Sequence, residues 1–395
     1  MTENSLGLDP ERQAMARRYA QAGRAAALAA AALGFLYLVA WALGPWPISV
    51  RGAWTQAADR LALPQAAIRA ISLLGVAFTV SAPLWIASIP LAYYAGYILP
   101  HRFGLSNQTP GGWITDRLKS LVLTAGIGSV LLLGLYALIH LAPRSWWWWA
   151  ALAGALVSLA MTVLGPVVFM PLFYRMRPLG QEYAEIAARL ERLAAAAGVR
   201  VQGVFSLDLS RRTKTANAML VGMGKGRRIL VGDTLLEAFE ADETESVFAH
   251  ELAHHVHNDS FFGLLVPSAV MAASFGLMQM VLARMVAIGY LTAPDDPAGL
   301  PVVELVWATT GLLTAPVMNA YSRWREARAD EFAFRLTGNA PAFARAMIRL
   351  GNQNLAEAEP PAWAVSLFGT HPPLGQRIRR AQAAAEIPHA PTRSD

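Results

Sequence analysis

Residues 242–258 read DETESVFAHELAHHVHN, and this stretch decides how the rest of the chain is interpreted. The spacing of its apolar residues predicts a helix. His250 and His254 are four residues apart, so a helix places both imidazoles on one face, where they can bind the same ion. Glu251 lies beside them, where a carboxylate can take a proton from water at a metal. The stretch therefore predicts a catalytic metal centre; the alternative is a polar helix face with clustered histidines.

A catalytic zinc site usually has three protein ligands and one open position, so a third ligand is expected elsewhere in the chain. The chain has no cysteine, which leaves His, Asp or Glu. The best candidate is Glu326, in the stretch REARAD (325–330). Asp330 lies one helical turn later on the same face and could accept the second N–H of a ligating histidine. The alternative for both residues is a solvated, charged helix face.

The composition predicts an integral membrane protein. Hydrophobic residues make up 55% of the 395 residues and charged residues 15%, against about 45–50% and roughly 25% in typical globular proteins. Crossing a bilayer takes about 20 helical residues. Six apolar stretches are long enough, namely Ala25–Leu43, Ile71–Leu99, Leu121–Leu141, Trp146–Phe173, Phe261–Leu282 and Leu300–Met318.

The distribution of basic residues predicts the orientation of these spans. Basic connections alternate with connections poor in Lys and Arg, beginning with a basic N-terminus and ending with Arg323, Arg325 and Arg328 after the last span. Basic residues are kept on the cytoplasmic side, so both termini and both long polar segments are expected there, in a bacterial inner membrane. The net charge of +6 is attributed to this bias. The expected partners are the lipid bilayer and a substrate, with no nucleic acid.

The predicted organisation interleaves membrane and polar segments. It comprises a membrane domain with four spans (1–174), the first part of a peptidase lobe (175–260), a membrane hairpin (261–320), the second part of the lobe (321–385) and a disordered tail (386–395). The first part of the lobe is predicted to contain a helix (182–197), three strands (199–209, 216–221 and 227–231) and a helix that begins at a capping box formed by Asp242 and Glu245.

Several ordered motifs between Gly104 and Arg380 resemble those of the type I CAAX prenyl endopeptidases and their bacterial relatives, which share a catalytic core with HtpX-like membrane proteases. Besides the histidine motif and 326–330, they are GLSNQT (104–109), PLFY (171–174), KTANA (214–218) and HPP (371–373) followed by Arg377. The eukaryotic members have seven spans around a chamber, whereas six are counted here. Either the long fourth stretch contains a re-entrant piece, or the chamber is built differently.

The resemblance implies an α-helical integral membrane protein of about six to seven spans with a zincin-like α+β metallopeptidase lobe. It implies one Zn²⁺ per chain bound by His250, His254 and Glu326, with Glu251 as general base and Asp330 orienting a ligand. It also implies that Asn217 lies on an edge strand that holds the substrate backbone. His371, with Arg377 nearby, would bind the substrate or the developing oxyanion.

The predicted function is a zinc metalloendopeptidase similar to CAAX prenyl protease 1, acting on peptides or on membrane-associated proteins, lipidated or not. One alternative is an HtpX-like protease for quality control of membrane proteins. Another is a transporter or scaffold with a catalytically dead peptidase fold. The intact metal-binding motif argues against that second alternative, as does the scarcity of intramembrane charges, of which Glu304 is the main one.

Overall fold

The computed structural model describes residues 6–222 and 224–386 of the chain. The predicted disordered tail lies outside the described residues except for Glu386, which ends the last helix. The α-helices are α1 Pro10–Leu43, α2 Trp46–Asp59, α3 Gln65–Tyr93, α4 Leu99–Arg102, α5 Pro110–Leu141, α6 Trp146–Leu164, α7 Ala184–Ala196, α8 Asp233–Ala238, α9 Ala241–Val256, α10 Asp259–Phe262, α11 Leu265–Ala287, α12 Leu300–Thr337, α13 Ala340–Asn354, α14 Ala362–Phe368 and α15 Leu374–Glu386. The strands are β1 Met176–Pro178, β2 Val204–Leu207, β3 Ala218–Val221 and β4 Arg228–Gly232.

Six helices of the described chain are long and apolar enough to cross a membrane, as predicted: α1, α3 continued into α4, α5, α6 with its extension to Leu172, α11 and α12. Large apolar side chains cover their outer faces; Val122 on α5 and Leu313 on α12 are 71% and 72% exposed. Such surfaces need lipid around them. The fourth stretch remains helical but passes through a π-helical turn at Gly165–Phe169, and π turns are often found at functional positions.

Apart from α2, which packs against α3, the other elements form one α+β lobe, which consists of β1–β4, α7–α10, the C-terminal half of α12, and α13–α15. The sheet order is β1-β2-β4-β3, with β2 and β4 parallel and the two outer pairs antiparallel, so β3 is an edge strand. Leu6 and Leu8, at the start of the described chain, also pack into the core of this lobe. The helices α9, α12 and α13 contact one another, so the two polar segments meet at the same end of the bundle.

Two local predictions for the lobe were wrong. The capping box of α9 is formed by Glu240 and Glu243, not by Asp242 and Glu245, because the helix begins at Ala241 and its third residue is Glu243. The first predicted strand is much shorter than 199–209. Gly203 has φ +137°, which no extended strand adopts, so β2 begins only at Val204.

Candidate metal centre and active site

The packing of α9 against α12 brings His250, His254 and Glu326 to one point. Their ligand atoms all lie within 4.8 Å of one another. Nε2 of His250 is 3.1 Å from Oε2 of Glu326, and Nε2 of His254 is 3.4 Å from Oε1. The two rings therefore present the same type of nitrogen to the two oxygens of one carboxylate. In the sequence, the histidines precede the membrane hairpin and Glu326 follows it.

The other nitrogen of each ring is held by an aspartate. Oδ1 of Asp330 is 2.8 Å from Nδ1 of His250, and Oδ2 of Asp259 is 2.8 Å from Nδ1 of His254. A carboxylate on Nδ1 fixes the tautomer with its lone pair on Nε2 and makes the ring a better metal ligand. The first contact involves the residue that the sequence predicted. Asp259 was missed.

An arginine in turn contacts each aspartate. Arg377 donates from Nε and Nη2 to the two oxygens of Asp330, at 2.9 and 2.6 Å, and Nη2 lies 3.4 Å from Nδ1 of His250. Arg325 lies 3.4 Å from Asp259 through Nε. Arg377 also borders the cavity described below. A direct contact between Arg377 and the substrate stays a prediction.

Burial and charge around His250 and Glu251 suit a site for a cation. Burial disfavours the protonated ring of His250, but hydrogen bonds to Asp330 and Glu326 outweigh it and raise its pKa to about 9. A bound cation would take the place of that positive charge. Burial raises the pKa of Glu251, against the opposing effect of the two histidines. A carboxylate with a raised pKa is a stronger base than an ordinary glutamate.

The centre opens into a cavity of about 610 Å³. Glu251, His371 and Asn217 border it. Nε2 of His371 lies 3.3 Å from Oε2 of Glu326, and its side chain is 59% exposed, so it reaches the carboxylate of Glu326 from the open side. Asn217 immediately precedes the edge strand β3, and its carbonyl accepts a hydrogen bond from the N–H of Gly232. The structure thus places all the predicted site residues in or beside one cavity.

The donor set fits a catalytic divalent metal. Two imidazole nitrogens and one carboxylate supply three ligands and leave room for a fourth on the cavity side. Both rings have their second nitrogen paired, as ligating histidines usually do.

A helical bundle that spans a membrane and carries this centre defines an integral membrane metallopeptidase. The chain belongs to peptidase family M48, because the sequence model of that family matches residues 180–385. Residues 6–175 match a second family model, described as "CAAX prenyl protease N-terminal, five membrane helices". In that region the structure has four candidate spans and the 14-residue helix α2.

Named relatives agree with this assignment. The metalloprotease YhfN of Bacillus subtilis is 27% identical over 324 residues, which cover 81% of this chain and 75% of YhfN. CAAX prenyl protease 1 of Saccharomyces cerevisiae is 28% identical over 322 residues, covering 76% and 70%. The crystal structure of S. mikatae Ste24p has the same fold, with a TM-score of 0.80 at 23% identity, covering 94% of this chain and 89% of Ste24p. The chain is therefore a membrane metalloprotease with a metal cofactor, and the resemblance found in the sequence is confirmed.

Proposed function

We propose that this protein is a zinc metalloendopeptidase that hydrolyses peptide bonds of peptides or of membrane-associated proteins. The observation that carries the proposal is the convergence of His250, His254 and Glu326 within 4.8 Å, with Glu251 beside them in an open cavity. The names of the relatives support a CAAX prenyl protease-like activity on lipidated substrates. The alternative, quality control of membrane proteins, has no observation that favours it.

His250 and His254 would hold zinc through Nε2, and Glu326 through its carboxylate. When bound, zinc supplies a Lewis acid that acidifies water and polarises the scissile carbonyl. Glu251 takes the proton from the attacking water and passes it to the leaving amine.

The substrate would be oriented by groups around the cavity. His371 donates a hydrogen bond to the oxygen on which negative charge develops, an interaction that exists mainly in the transition state. The unprotonated ring of His371 has one N–H to donate. The side chain of Asn217 and the outward backbone groups of the edge strand would hydrogen-bond to the backbone of the substrate. Arg377 would keep Asp330 against His250, because its two donors engage both oxygens of that carboxylate.

Substitution of the base tests the proposal. Glu251→Gln keeps the shape of the side chain but cannot accept a proton, so turnover of β-casein should fall at least a thousandfold while zinc stays at one ion per chain. Activity is measured on protein in detergent, and zinc by elemental analysis of the same sample. Hydrolysis within tenfold of the unaltered protein would rule out Glu251 as the base, and a zinc-free active preparation would rule out the metal.

The lobe is proposed to face the cytoplasm of a bacterial cell, as the Lys and Arg bias indicates. Because the chain has no cysteine, Glu237→Cys and Glu331→Cys each introduce a single thiol on an exposed part of the lobe. A membrane-impermeant maleimide added to intact cells should label neither, and should label both after the cells are opened. Labelling in intact cells would reverse the orientation.

A further inference from the structure

The outward edge of the segment 216–221, which contains β3, is hydrogen-bonded near both of its ends. In an antiparallel pair, successive residues direct their N–H and C=O groups alternately towards the partner and away from it. The N–H of Gly232 bonds the carbonyl of Asn217, so Asn217 faces β4. Ala216, Ala218 and Leu220 therefore direct their backbone groups away from β4, towards the side where a substrate strand would add.

The side chain of Asn354 occupies the first of these three positions. Its Oδ1 accepts from the N–H of Ala216 at 2.9 Å, and its Nδ2 donates to the carbonyl of Ala216 at 3.2 Å. One carboxamide thus makes both bonds that a neighbouring strand would make. Asn354 is the last residue of α13 and borders the metal-site cavity, so the bond lies on the substrate side.

The side chain of His255 occupies the carbonyl of the third position, Leu220. Its Nε2 lies 2.7 Å from the carbonyl of Leu220 and donates to it. His255 directly follows His254 on α9, so this end of the edge is tied to the helix of the metal centre. Between the two ends, no hydrogen bond from any described residue reaches the outward N–H and C=O of Ala218.

We propose that Asn354 and His255 flank the outward edge of the strand and limit backbone pairing through both N–H and C=O with a substrate to Ala218 between them. This inference rests on the proposed peptidase function and specifies its substrate class. The enzyme would accept a short extended segment, paired by about one residue, and would gain nothing from a longer strand. Asn354 and His255 are then specificity-determining residues, because they decide how much of the substrate can add to the sheet.

Hydrogen exchange tests whether Asn354 blocks its end of the edge strand, without relying on activity. In the zinc-loaded protein the amide of Ala216 should be protected and that of Ala218 should exchange freely. Asn354→Ala should speed exchange at Ala216 at least tenfold. Gln353→Ala is the matched control, since Gln353 lies next to Asn354 and donates to the carbonyl of Lys214 without contacting the edge. Unchanged exchange at Ala216 in Asn354→Ala, or the same increase in both variants, would refute the proposal that Asn354 blocks this end of the edge strand.

Peptide length tests the consequence for the substrate. A β-casein segment cleaved by the unaltered enzyme is lengthened one residue at a time at either end, and kcat/KM should level off after the paired residue. Asn354→Ala should extend the rise at one end and His255→Phe at the opposite end, each by about three- to tenfold, the effect of one or two added hydrogen bonds. Equal length profiles in all three proteins would refute the proposal. Failure of the unaltered enzyme to cleave any peptide would instead refute the peptidase function. The hydrogen-exchange result does not depend on activity and would still test the contacts of Asn354.

Discussion

His250 and His254 lie one turn apart on α9 and present the same nitrogen to Glu326. The aspartate that contacts the other ring nitrogen, here called the support of the histidine, comes from a distant helix in one case and from the next turn of the chain in the other. The aspartate of His250 is Asp330, on α12, beyond the membrane hairpin. The aspartate of His254 is Asp259, at the start of α10, only five residues further along the chain. One ring is oriented by tertiary packing and the other by a local turn.

The two supports also differ in burial. The side chain of Asp330 is 1% exposed and its partner Arg377 12%. For Asp259 and Arg325 the values are 5% and 22%. Arg377 donates to both carboxylate oxygens of Asp330, at 2.9 and 2.6 Å, whereas Arg325 lies 3.4 Å from the carboxylate of Asp259 and donates instead to its backbone carbonyl at 3.1 Å. The comparison indicates that the pair behind His250 contributes to both folding and metal binding, and the pair behind His254 mainly to metal binding.

The largest expected effect comes from removing the rings themselves. His250→Ala and His254→Ala should each abolish zinc binding and peptide hydrolysis, because two remaining ligands cannot hold a catalytic zinc. Equal loss in both variants, measured by elemental analysis and casein hydrolysis, would show that the asymmetry lies in the supports and not in the ligands. Full zinc occupancy in either variant would remove that residue from the ligand set.

An intermediate effect is expected at the support of His250. Asp330→Asn removes the charge that pairs with the buried Arg377, and breaking a buried pair costs about 3–5 kcal/mol of folding free energy. Zinc affinity should also fall about 10–100-fold. Thermal unfolding in detergent measures the first effect and competition with a chelator the second. If Asp330→Asn lost zinc affinity at unchanged stability, the proposed double role of this residue would be wrong.

The smallest effect is expected at the support of His254. Asp259→Asn should lower zinc affinity by about the same 10–100-fold but lower the stability less than Asp330→Asn does, because Arg325 approaches the carboxylate only to 3.4 Å and keeps its bond to the backbone carbonyl of Asp259. The same two measurements compare the variants directly. Equal destabilisation by Asp259→Asn and Asp330→Asn would erase the difference between the two supports.

Helical periodicity explains why the sequence predicted one support and not the other. Asp330 follows Glu326 by one turn of the same helix, so spacing alone puts it beside the metal centre. Asp259 lies beyond the end of α9. Asn258 adopts a left-handed conformation with φ +53°, which reverses the chain and returns Asp259 to His254. An Asn followed by Asp just after a metal-binding helix was the available signal, since Asn tolerates this conformation.

The six spans were predictable because lipid requires about 20 apolar residues in succession, whatever the tertiary packing. The 14-residue helix α2 was missed, since it is shorter than a span and its position depends on packing against α3. The strand β1 was missed for a similar reason. It has three residues, one of them a proline, and is defined by its pairing with β2.

The division of the metal centre by the membrane hairpin also sets the order in which the centre is completed during synthesis. The ribosome makes the chain from its N-terminus, so His250 and His254 emerge before α11 exists. Glu326 emerges only after most of the last span, on the same continuous helix α12. A nascent chain therefore carries two of the three proposed metal ligands without the third until its final helix has been made. With the proposed ligand set, we expect the catalytic centre to be complete only once the last span has been made, so that an unfinished polypeptide cannot hydrolyse the proteins around it.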